Sequence, residues 1–183
     1  MKYSTEWLLG QLAQGHRAKY LFFWGHQPSA DGTITKSCLS QWWPADFATA
    51  GVTYRSTEHW MMAEKARLFN DVPVERQVLA AKSPAEAKKL GRGIRGFAPE
   101  VWEAHKYGIV KAGNLLKFGQ HENLAAFLLA TGDRVLVEAS PVDTVWGIGL
   151  AADAADAEHP ARWQGPNLLG FALMEVRDQL RDR

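Results

Sequence analysis

Apolar residues recur every three or four positions along most of this chain, which is the spacing that forms one face of an α-helix. Helices are therefore predicted over residues 4–16, 54–69, 73–81, 83–91, 101–118, 123–130 and 167–181. Runs of β-branched and aromatic residues predict strands at 20–25, 33–39 and 134–139, and the first two are expected to pair as a hairpin. The pattern indicates a mainly α (α+β) fold, a single multihelical domain with small β elements over residues 1–183.

The second predicted helix carries two charged residues where its apolar face should be. Glu58 and Lys65 are seven positions apart, so at roughly 100° per residue they point within about 20° of each other. Met61 and Met62 lie between them on the same side of the helix. Two interpretations stay open at this point. The pair belongs to a site, or Glu58 complements the helix dipole behind an N-cap at Ser56 while Lys65 extends into solvent.

The length, net charge and composition of the sequence exclude several classes of protein. The 183 residues suffice for one domain, and the formal net charge of +1 argues against electrostatic binding of duplex DNA. Cys38 is the single cysteine, so no internal disulfide can form and a cytoplasmic location is expected. The sequence lacks a bilayer-length apolar stretch and a signal-peptide pattern, so no membrane association is expected. Tryptophan is abundant, with eight residues, and most of these are expected to pack in the core.

Motifs of other protein classes are weak in this sequence. Residues 91–96 match the G-x-G-x-x-G pattern, but a helix precedes them where dinucleotide-binding proteins have a strand. The glycines are therefore expected to end a helix and start a turn, in which Arg92 or Arg95 would be available to face a phosphate. The six histidines lack the spacing of metal ligands, so no metal site is expected, and nothing supports Cys38 as a nucleophile.

A second group of candidate residues follows the strand predicted at 134–139. There a loop carries Asp143, Trp146 and closely spaced glycines. Loops at strand ends often carry function, and glycines let a ligand approach the backbone. An Asx-turn beside a packed tryptophan explains the same residues equally well, so both interpretations stay open.

The order of several short motifs resembles that of the NADAR family, the YbiA-like N-glycosidases. The matching residues run from about residue 20 to the C-terminus and include Tyr54, Ser56, Glu58, His59, Lys65-Ala66, Phe69-x-Asp71, Pro84-x-x-Ala87, Leu90-Gly91-Arg92, Trp102, Lys117-Phe118, Thr131-Gly132, Leu136-Val-Glu138, Asp143-x-x-Trp146-Gly147, Asn167-x-Leu169-Gly170 and Leu173-Met174-x-Val176-Arg177. Each motif is weak by itself, and their shared order carries the resemblance. Phe22–His26 and Ser40–Pro44 are similar to one aromatic-rich branch of the family, so the substrate is not expected to transfer unchanged.

Membership of this family implies hydrolysis of a ribose N-glycosidic bond by a helical protein with small β elements. The implied substrates are ribosylamino-pyrimidine phosphate intermediates of riboflavin synthesis, and ADP-ribose attached to guanine in nucleic acid. The resemblance nominates Glu58, Lys65 and Asp143 as catalytic residues, with Lys65 as a nucleophile. It also implies a set of substrate-binding residues, which comprises Trp24, Gly25, Arg92, Trp102, Trp146, Gly147 and Asn167. No cofactor, metal or obligate protein partner is implied.

The expected chemistry follows from the bond that breaks. Positive charge builds at C1′ and negative charge on the departing base, so a carboxylate near C1′ and a general acid are required. We expect Glu58 to act as acid/base and Asp143 to bind a ribose hydroxyl or assist as an acid. Lys65 is expected to attack C1′ or to hold the opened sugar as a Schiff base. The attacking amine must be neutral, yet the Glu58 carboxylate raises its pKa, and the sequence leaves that conflict open. The alternative function is a non-catalytic module that binds ADP-ribose or a nucleotide.

Overall fold

The computed structural model describes residues 1–182, which form two compact units of the chain. The first unit consists of Met1–Ser40 and the chain from Glu122 onward, and the second unit consists of Gln41–His121. Helices dominate each unit, and each also contains a two-stranded sheet. The prediction of a mainly α (α+β) fold is therefore confirmed. None of the helices in residues 1–182 is both long and apolar enough to cross a bilayer.

The elements follow the order that the hydrophobic pattern predicts, with a few differences in their bounds. They are α1 (Thr5–Ala13), β1 (Tyr20–Phe23), β2 (Phe47–Thr49), β3 (Val52–Tyr54), α2 (Thr57–Leu68), α3 (Val72–Ala80), α4 (Pro84–Gly91), α5 (Pro99–Gln120), α6 (Glu122–Ala130), β4 (Val135–Glu138) and α7 (Leu168–Arg181). Two short 3₁₀ turns lie at Lys36–Leu39 and Pro160–Arg162. The helix predicted from Tyr54 begins only at Thr57, because residues 52–54 pair as a strand instead.

The second unit is organised around α2, which packs against α3, α4 and α5. Two glycines allow this close approach. A Cβ atom at Gly91 of α4 would lie 2.1 Å from the Sδ atom of Met62, and one at Gly113 of α5 would lie 2.3 Å from Cδ1 of Trp60. Both distances are far shorter than a van der Waals contact, so only glycine fits at either position without a shift of α2 or its neighbours.

The first unit places α7 against the parallel pair β1–β4. The register joins Tyr20 to Val135 and Phe23 to Glu138. Every residue from Leu169 to Arg177 is buried, as expected for a closing helix that covers the sheet. Because the two strands are parallel, their amino ends share one edge of the sheet and their carboxyl ends share the opposite edge.

The hairpin predicted from residues 20–25 and 33–39 is wrong. β1 pairs instead with β4, more than a hundred residues later, and Lys36–Leu39 forms a 3₁₀ turn. β4 is buried at Val135, Leu136 and Val137, so it offers β1 an apolar neighbour whose backbone groups also need partners. The segment at 33–36 has exposed or half-buried side chains and offers β1 no such neighbour.

A short antiparallel hairpin, β2–β3, forms where no strand was predicted. Its turn residues Ala50 and Gly51 both have positive φ, at 49° and 77°. Hairpins with both turn residues in this region usually carry Asn-Gly or Asp-Gly, so an Ala-Gly pair gives little warning in the sequence. The hairpin ends at Tyr54, and the chain then enters α2 through its cap at Ser56.

Two glycines of α5, Gly108 and Gly113, should respond in opposite ways to alanine. Gly113→Ala forces its new methyl group into Trp60, whose indole N–H donates to the carbonyl of Ile109 at 2.8 Å, and should lower the free energy of unfolding by about 1–3 kcal/mol. Gly108→Ala meets no atom within 4 Å and should raise the free energy of unfolding by about 0.5–1 kcal/mol through helix propensity. Urea unfolding followed by tryptophan fluorescence measures both, and equal effects would contradict the packing of α2 on α5.

Candidate active site

The first turn of α2 presents Glu58 from a rigid and almost fully buried position. Glu58 is only 2% exposed. Its main-chain N–H donates to the carbonyl of Gln41 at 3.0 Å, and the Thr57 hydroxyl donates to the same carbonyl at 3.1 Å. The Gln41 side chain in turn accepts from the amide of Asn114 on α5 at 3.1 Å. A buried polar network therefore fixes the backbone that carries this carboxylate.

Lys65 lies about two turns further along the same face of α2, and its ammonium group is held by a carbonyl and two aromatic rings. Nζ donates to the Gly91 carbonyl at 3.1 Å. It lies 4.3 Å from the centroid of the Phe97 ring and 5.3 Å from that of Trp102, both within the range of cation–π attraction. An amine that merely extended into solvent would need none of these contacts. The arrangement favours the interpretation of Lys65 as part of a site.

The direction of the Lys65 pKa shift bears on whether this amine is neutral beside Glu58, which the sequence leaves open. Burial lowers the pKa of Lys65, while the nearby Glu58 carboxylate acts in the opposite direction and does not cancel the effect. The net shift is downward, so the neutral amine is more populated near neutral pH than that of an exposed lysine. The Glu58 carboxylate raises this pKa by a Coulombic interaction, so its charge and that of the Lys65 ammonium are electrostatically coupled.

An ion pair between the buried Asp71 and the exposed Arg95 fixes the segment that supplies Gly91 and Phe97. Asp71, the N-cap of α3, is 3% exposed and accepts from the main-chain N–H of Arg95 at 2.9 Å and from its guanidinium at 3.0 Å. These bonds hold the pKa of Asp71 at about 2. Arg95 is thereby committed to Asp71, and Arg92, which is exposed at the end of α4, is the remaining arginine of this turn available to a phosphate.

In the first unit, Asp143 forms an Asx-turn, which is one of the two interpretations that the sequence leaves open. Its Oδ1 accepts from the main-chain N–H groups of Val145 at 2.9 Å and Trp146 at 2.8 Å. These bonds fix the carboxylate against its own loop and leave Oδ2 without a hydrogen bond from residues 1–182. The half-buried Trp146 follows directly. The Asx-turn and a role toward a ligand are therefore compatible, and the latter stays a prediction.

Gly147 and Asn167 tie this loop to β4. Asn167 is completely buried in the left-handed conformation, donates from Nδ2 to the Leu136 carbonyl at 2.9 Å and accepts from the Glu138 N–H at 2.9 Å. Its own N–H donates to the Gly147 carbonyl at 3.2 Å, and a Cβ at Gly147 would lie 2.7 Å from the Glu138 carbonyl oxygen. Both residues therefore position the loop, while their contact with substrate stays a prediction.

Trp24 and Gly25 lie directly after β1, at the carboxyl edge of the parallel sheet. The loop with Asp143 follows β4 at the same edge, because the two strands run in the same direction. Trp24 is 58% exposed, so its indole face is open to stack on a flat ligand, and Gly25 turns the chain with a φ of 81°. Among residues 1–182, no three His, Cys, Asp or Glu side chains gather closely enough to hold a metal ion.

Sequence reasoning missed the groups that contact Lys65 and the backbone of Glu58. Phe97 and the Gly91 carbonyl contact Lys65, and the Gln41 carbonyl accepts from the Glu58 N–H, but none of the three was a candidate. A main-chain carbonyl has no sequence signal. Phe97 follows Gly96 as a lone aromatic residue, and neither its 42% exposure nor its contact with Lys65 can be read from that position.

Comparisons with known proteins agree with this fold and with the order of its motifs. A model of the NADAR domain matches residues 22–181. A protein named N-glycosidase R617 from Acanthamoeba polyphaga mimivirus is 40% identical over 166 residues, which is 88% of this chain and 96% of that protein. N-glycosidase YbiA from Escherichia coli (strain K12) is 33% identical over 138 residues, which is 75% of this chain and 76% of that protein.

The similarity extends to a solved structure and to a larger protein. The NMR structure of the E. coli protein YbiA matches with a TM-score of 0.69 and 26% identity, over 91% of this chain and 88% of that chain. Riboflavin biosynthesis protein VVA0006 from Vibrio vulnificus is 33% identical over 144 residues, which is 79% of this chain but only 35% of that protein. The fold and the ordered motifs define a YbiA-like protein. The chain belongs to the NADAR family.

Removal of the Glu58 charge should lower the pKa of Lys65 further. In Glu58→Gln the influence that opposes burial is gone, so the Lys65 amine should become neutral at a lower pH than in the wild type. A pH titration of protein labelled with carbon-13 at lysine Cε measures this pKa, with the signal assigned from Lys65→Arg. Glu64→Gln, a change on the same helix, is the control and should leave the Lys65 signal in place. A pKa that rises in Glu58→Gln would contradict the proposed coupling.

Proposed function

We propose that this chain hydrolyses the ribose C1′–N bond of a nucleotide-like substrate, with Glu58 as acid/base and Lys65 as nucleophile. Its relatives named N-glycosidase share 32–40% identity with it, and the chain is accordingly an enzyme that acts on N-glycosyl bonds. The observation that carries the finer proposal is the Lys65 amine, which has a lowered pKa and lies between two aromatic rings on the same helix as a buried carboxylate.

Glu58 can carry one proton from Lys65 to the departing base. Glu58 takes a proton from the Lys65 ammonium, and the neutral amine attacks C1′ as the bond from C1′ to the base breaks. Glu58 then gives the proton to the departing base, which relieves the negative charge on its nitrogen. The sugar ring then opens as the C1′–O4′ bond breaks and a proton moves from the new secondary ammonium to O4′, which leaves C1′ joined to Lys65 as a protonated Schiff base. Water hydrolyses the Schiff base and releases the sugar, which restores the amine.

The aromatic rings beside Lys65 suit a substrate with a flat base. Trp102 is half-buried and Phe97 is 42% exposed, so ring surface remains open next to the amine. Stacking of a base on an aromatic side chain is worth about 1–3 kcal/mol. The rings thus serve two roles, since they attract the ammonium in the free enzyme and offer a face to the base.

The substrate classes that fit this site are a ribosylamino-pyrimidine phosphate and ADP-ribose linked to guanine. The relative named for riboflavin biosynthesis supports the first class. Each class carries phosphate, for which the exposed Arg92 is the candidate partner in the second unit. Asp143, with its free Oδ2, is the candidate for a ribose hydroxyl.

Loss of either charge on α2 should remove catalysis while substrate binding persists. Glu58→Gln and Lys65→Met should each lower the rate of base release by about 10²–10⁴-fold, because each removes a proton-transfer or nucleophilic group. Base release is measured by chromatography over a substrate panel of ribosylamino-pyrimidine phosphates, NAD, ADP-ribose and an oligonucleotide ADP-ribosylated at guanine. Glu100→Gln, in the first turn of α5, and the exposed Lys89→Met are matched controls and should retain full activity. If the wild type binds a substrate and releases no base, the chain is a binding module.

The covalent step predicts a trapped adduct on one lysine. Borohydride added during turnover should reduce the Schiff base and attach the sugar to Lys65, which peptide mass spectrometry locates. The yield should fall as the pH rises through the lowered pKa of Lys65, because the proton that Glu58 passes to the departing base comes from the Lys65 ammonium. An active Lys65→Ala enzyme without an adduct in the wild type would exclude the nucleophile and leave Glu58 with an activated water instead.

A further inference from the structure

A cavity lies at the edge of the parallel sheet opposite to Trp24 and the Asp143 loop. It has a volume of about 640 Å³, within the range of small-ligand pockets. Its lining combines residues just before β1, Arg17 and Lys19, with the turn just before β4, which includes Arg134. The length of the four-residue strands separates this cavity from the carboxyl edge by roughly 13 Å.

The cations that line this cavity are not neutralised by the protein. Arg17 and Lys19 are exposed and form no ion pair with any described residue. The Arg134 guanidinium is oriented by two neutral acceptors, the carbonyls of Thr131 at 2.8 Å and Ala130 at 3.0 Å, so it keeps its positive charge uncompensated. Arginine in a fixed orientation matches the oxygens of a phosphate group well.

A buried guanidinium beneath the cavity adds to this positive charge. Arg177 of α7 is 2% exposed, and its Nη1 donates to the Thr131 hydroxyl at 2.8 Å and to the Arg134 carbonyl at 2.9 Å. Both partners line the cavity, and both are uncharged. Nε of Arg177 is buried with no hydrogen-bond partner within residues 1–182. The charge of Arg177 is therefore left without a direct counter-ion.

The acidic groups nearby are already engaged by other cations. Asp133 is the carboxylate among the lining residues, and Arg181 pairs with it at 2.9 Å. Asp178 of α7 accepts from Lys2 and from the Tyr3 hydroxyl. The chain as a whole has a formal net charge of only +1, so this concentration of cations is a local feature rather than a consequence of a basic protein.

We propose that this cavity binds phosphate oxyanions, presented either by a small phosphorylated molecule or by a nucleic-acid backbone. Among residues 1–182, those that line the cavity include no aromatic side chain on which a base could stack, so recognition rests on the phosphate charge and not on the identity of a base. The inference does not depend on the proposed N-glycosidase mechanism, because it uses none of the residues assigned to that reaction.

Titration of nitrogen-15-labelled protein with inorganic pyrophosphate tests the site directly. The main-chain signals of Thr131, Gly132 and Lys19 should shift, while the indole signal of Trp24 at the opposite edge should stay in place. The double variant Arg17→Gln/Lys19→Gln changes two exposed side chains and should weaken pyrophosphate binding about tenfold or more. Arg76→Gln/Lys89→Gln removes the same charge from exposed positions elsewhere and should bind as the wild type does.

A second arm distinguishes the two sources of phosphate. A fluorescein-labelled oligothymidylate of about twelve nucleotides is titrated at several salt concentrations and followed by anisotropy. Binding that is lost in Arg17→Gln/Lys19→Gln but kept in the control variant assigns the cavity to a nucleic-acid backbone. Binding of pyrophosphate alone assigns it to a small phosphorylated molecule. Absence of binding by both probes at physiological salt, or equal binding by the two double variants, overturns the proposal.

Discussion

The second unit depends on the partial removal from water of two charged side chains of one helix. α2 packs against three other helices, which bury Glu58 and half-bury Lys65 together with the apolar residues of α2. An ionised group that loses its hydration without compensation costs several kcal/mol. The structure supplies a carbonyl and two ring faces to Lys65, and it fixes the backbone of Glu58 through Gln41. The same desolvation that opposes folding lowers the pKa of the amine, which a nucleophile requires.

The surroundings of Lys65 are held in place from outside the helix that carries it. Gly91 and Phe97 belong to the turn after α4, and Asp71 fixes that turn through Arg95. In the first unit, Asn167 performs a comparable task, because its amide joins the loop after β4 to the strand itself. In each unit a buried polar side chain bonded to main-chain groups sets the position of a loop, which is more rigid than apolar packing alone would make it.

Most of the fold could be predicted because each helix is indicated by residues that are close together in the sequence. Ser83 caps α4 with Pro84 in the first turn, and α7 follows a continuous apolar stripe. The facing of Glu58 and Lys65 on α2 also follows from helical geometry alone. The residues that form such a signal lie within a few positions of each other, so the signal can be read from a single sequence.

The features that escaped prediction join distant parts of the chain or lack a side-chain signal. The pairing of β1 with β4 spans more than a hundred residues, and Ala50-Gly51 does not resemble a common hairpin turn. The sign of the Lys65 pKa shift depends on how deeply α4 and α5 cover α2, which no local pattern reports. The order of the family motifs identified the candidate residues, but the groups that tune them come from tertiary structure.

Gly91 combines two constraints in one residue. Its missing side chain makes room for Met62, and its carbonyl receives the Lys65 ammonium. A side chain at this position must displace the Met62 side chain or push α4 away from α2, and in the second case the carbonyl moves away from the amine. The packing of α4 on α2 and the surroundings of the Lys65 ammonium are therefore coupled through one residue. Stabilisation of this unit against heat would proceed more readily through contacts that leave this residue unchanged.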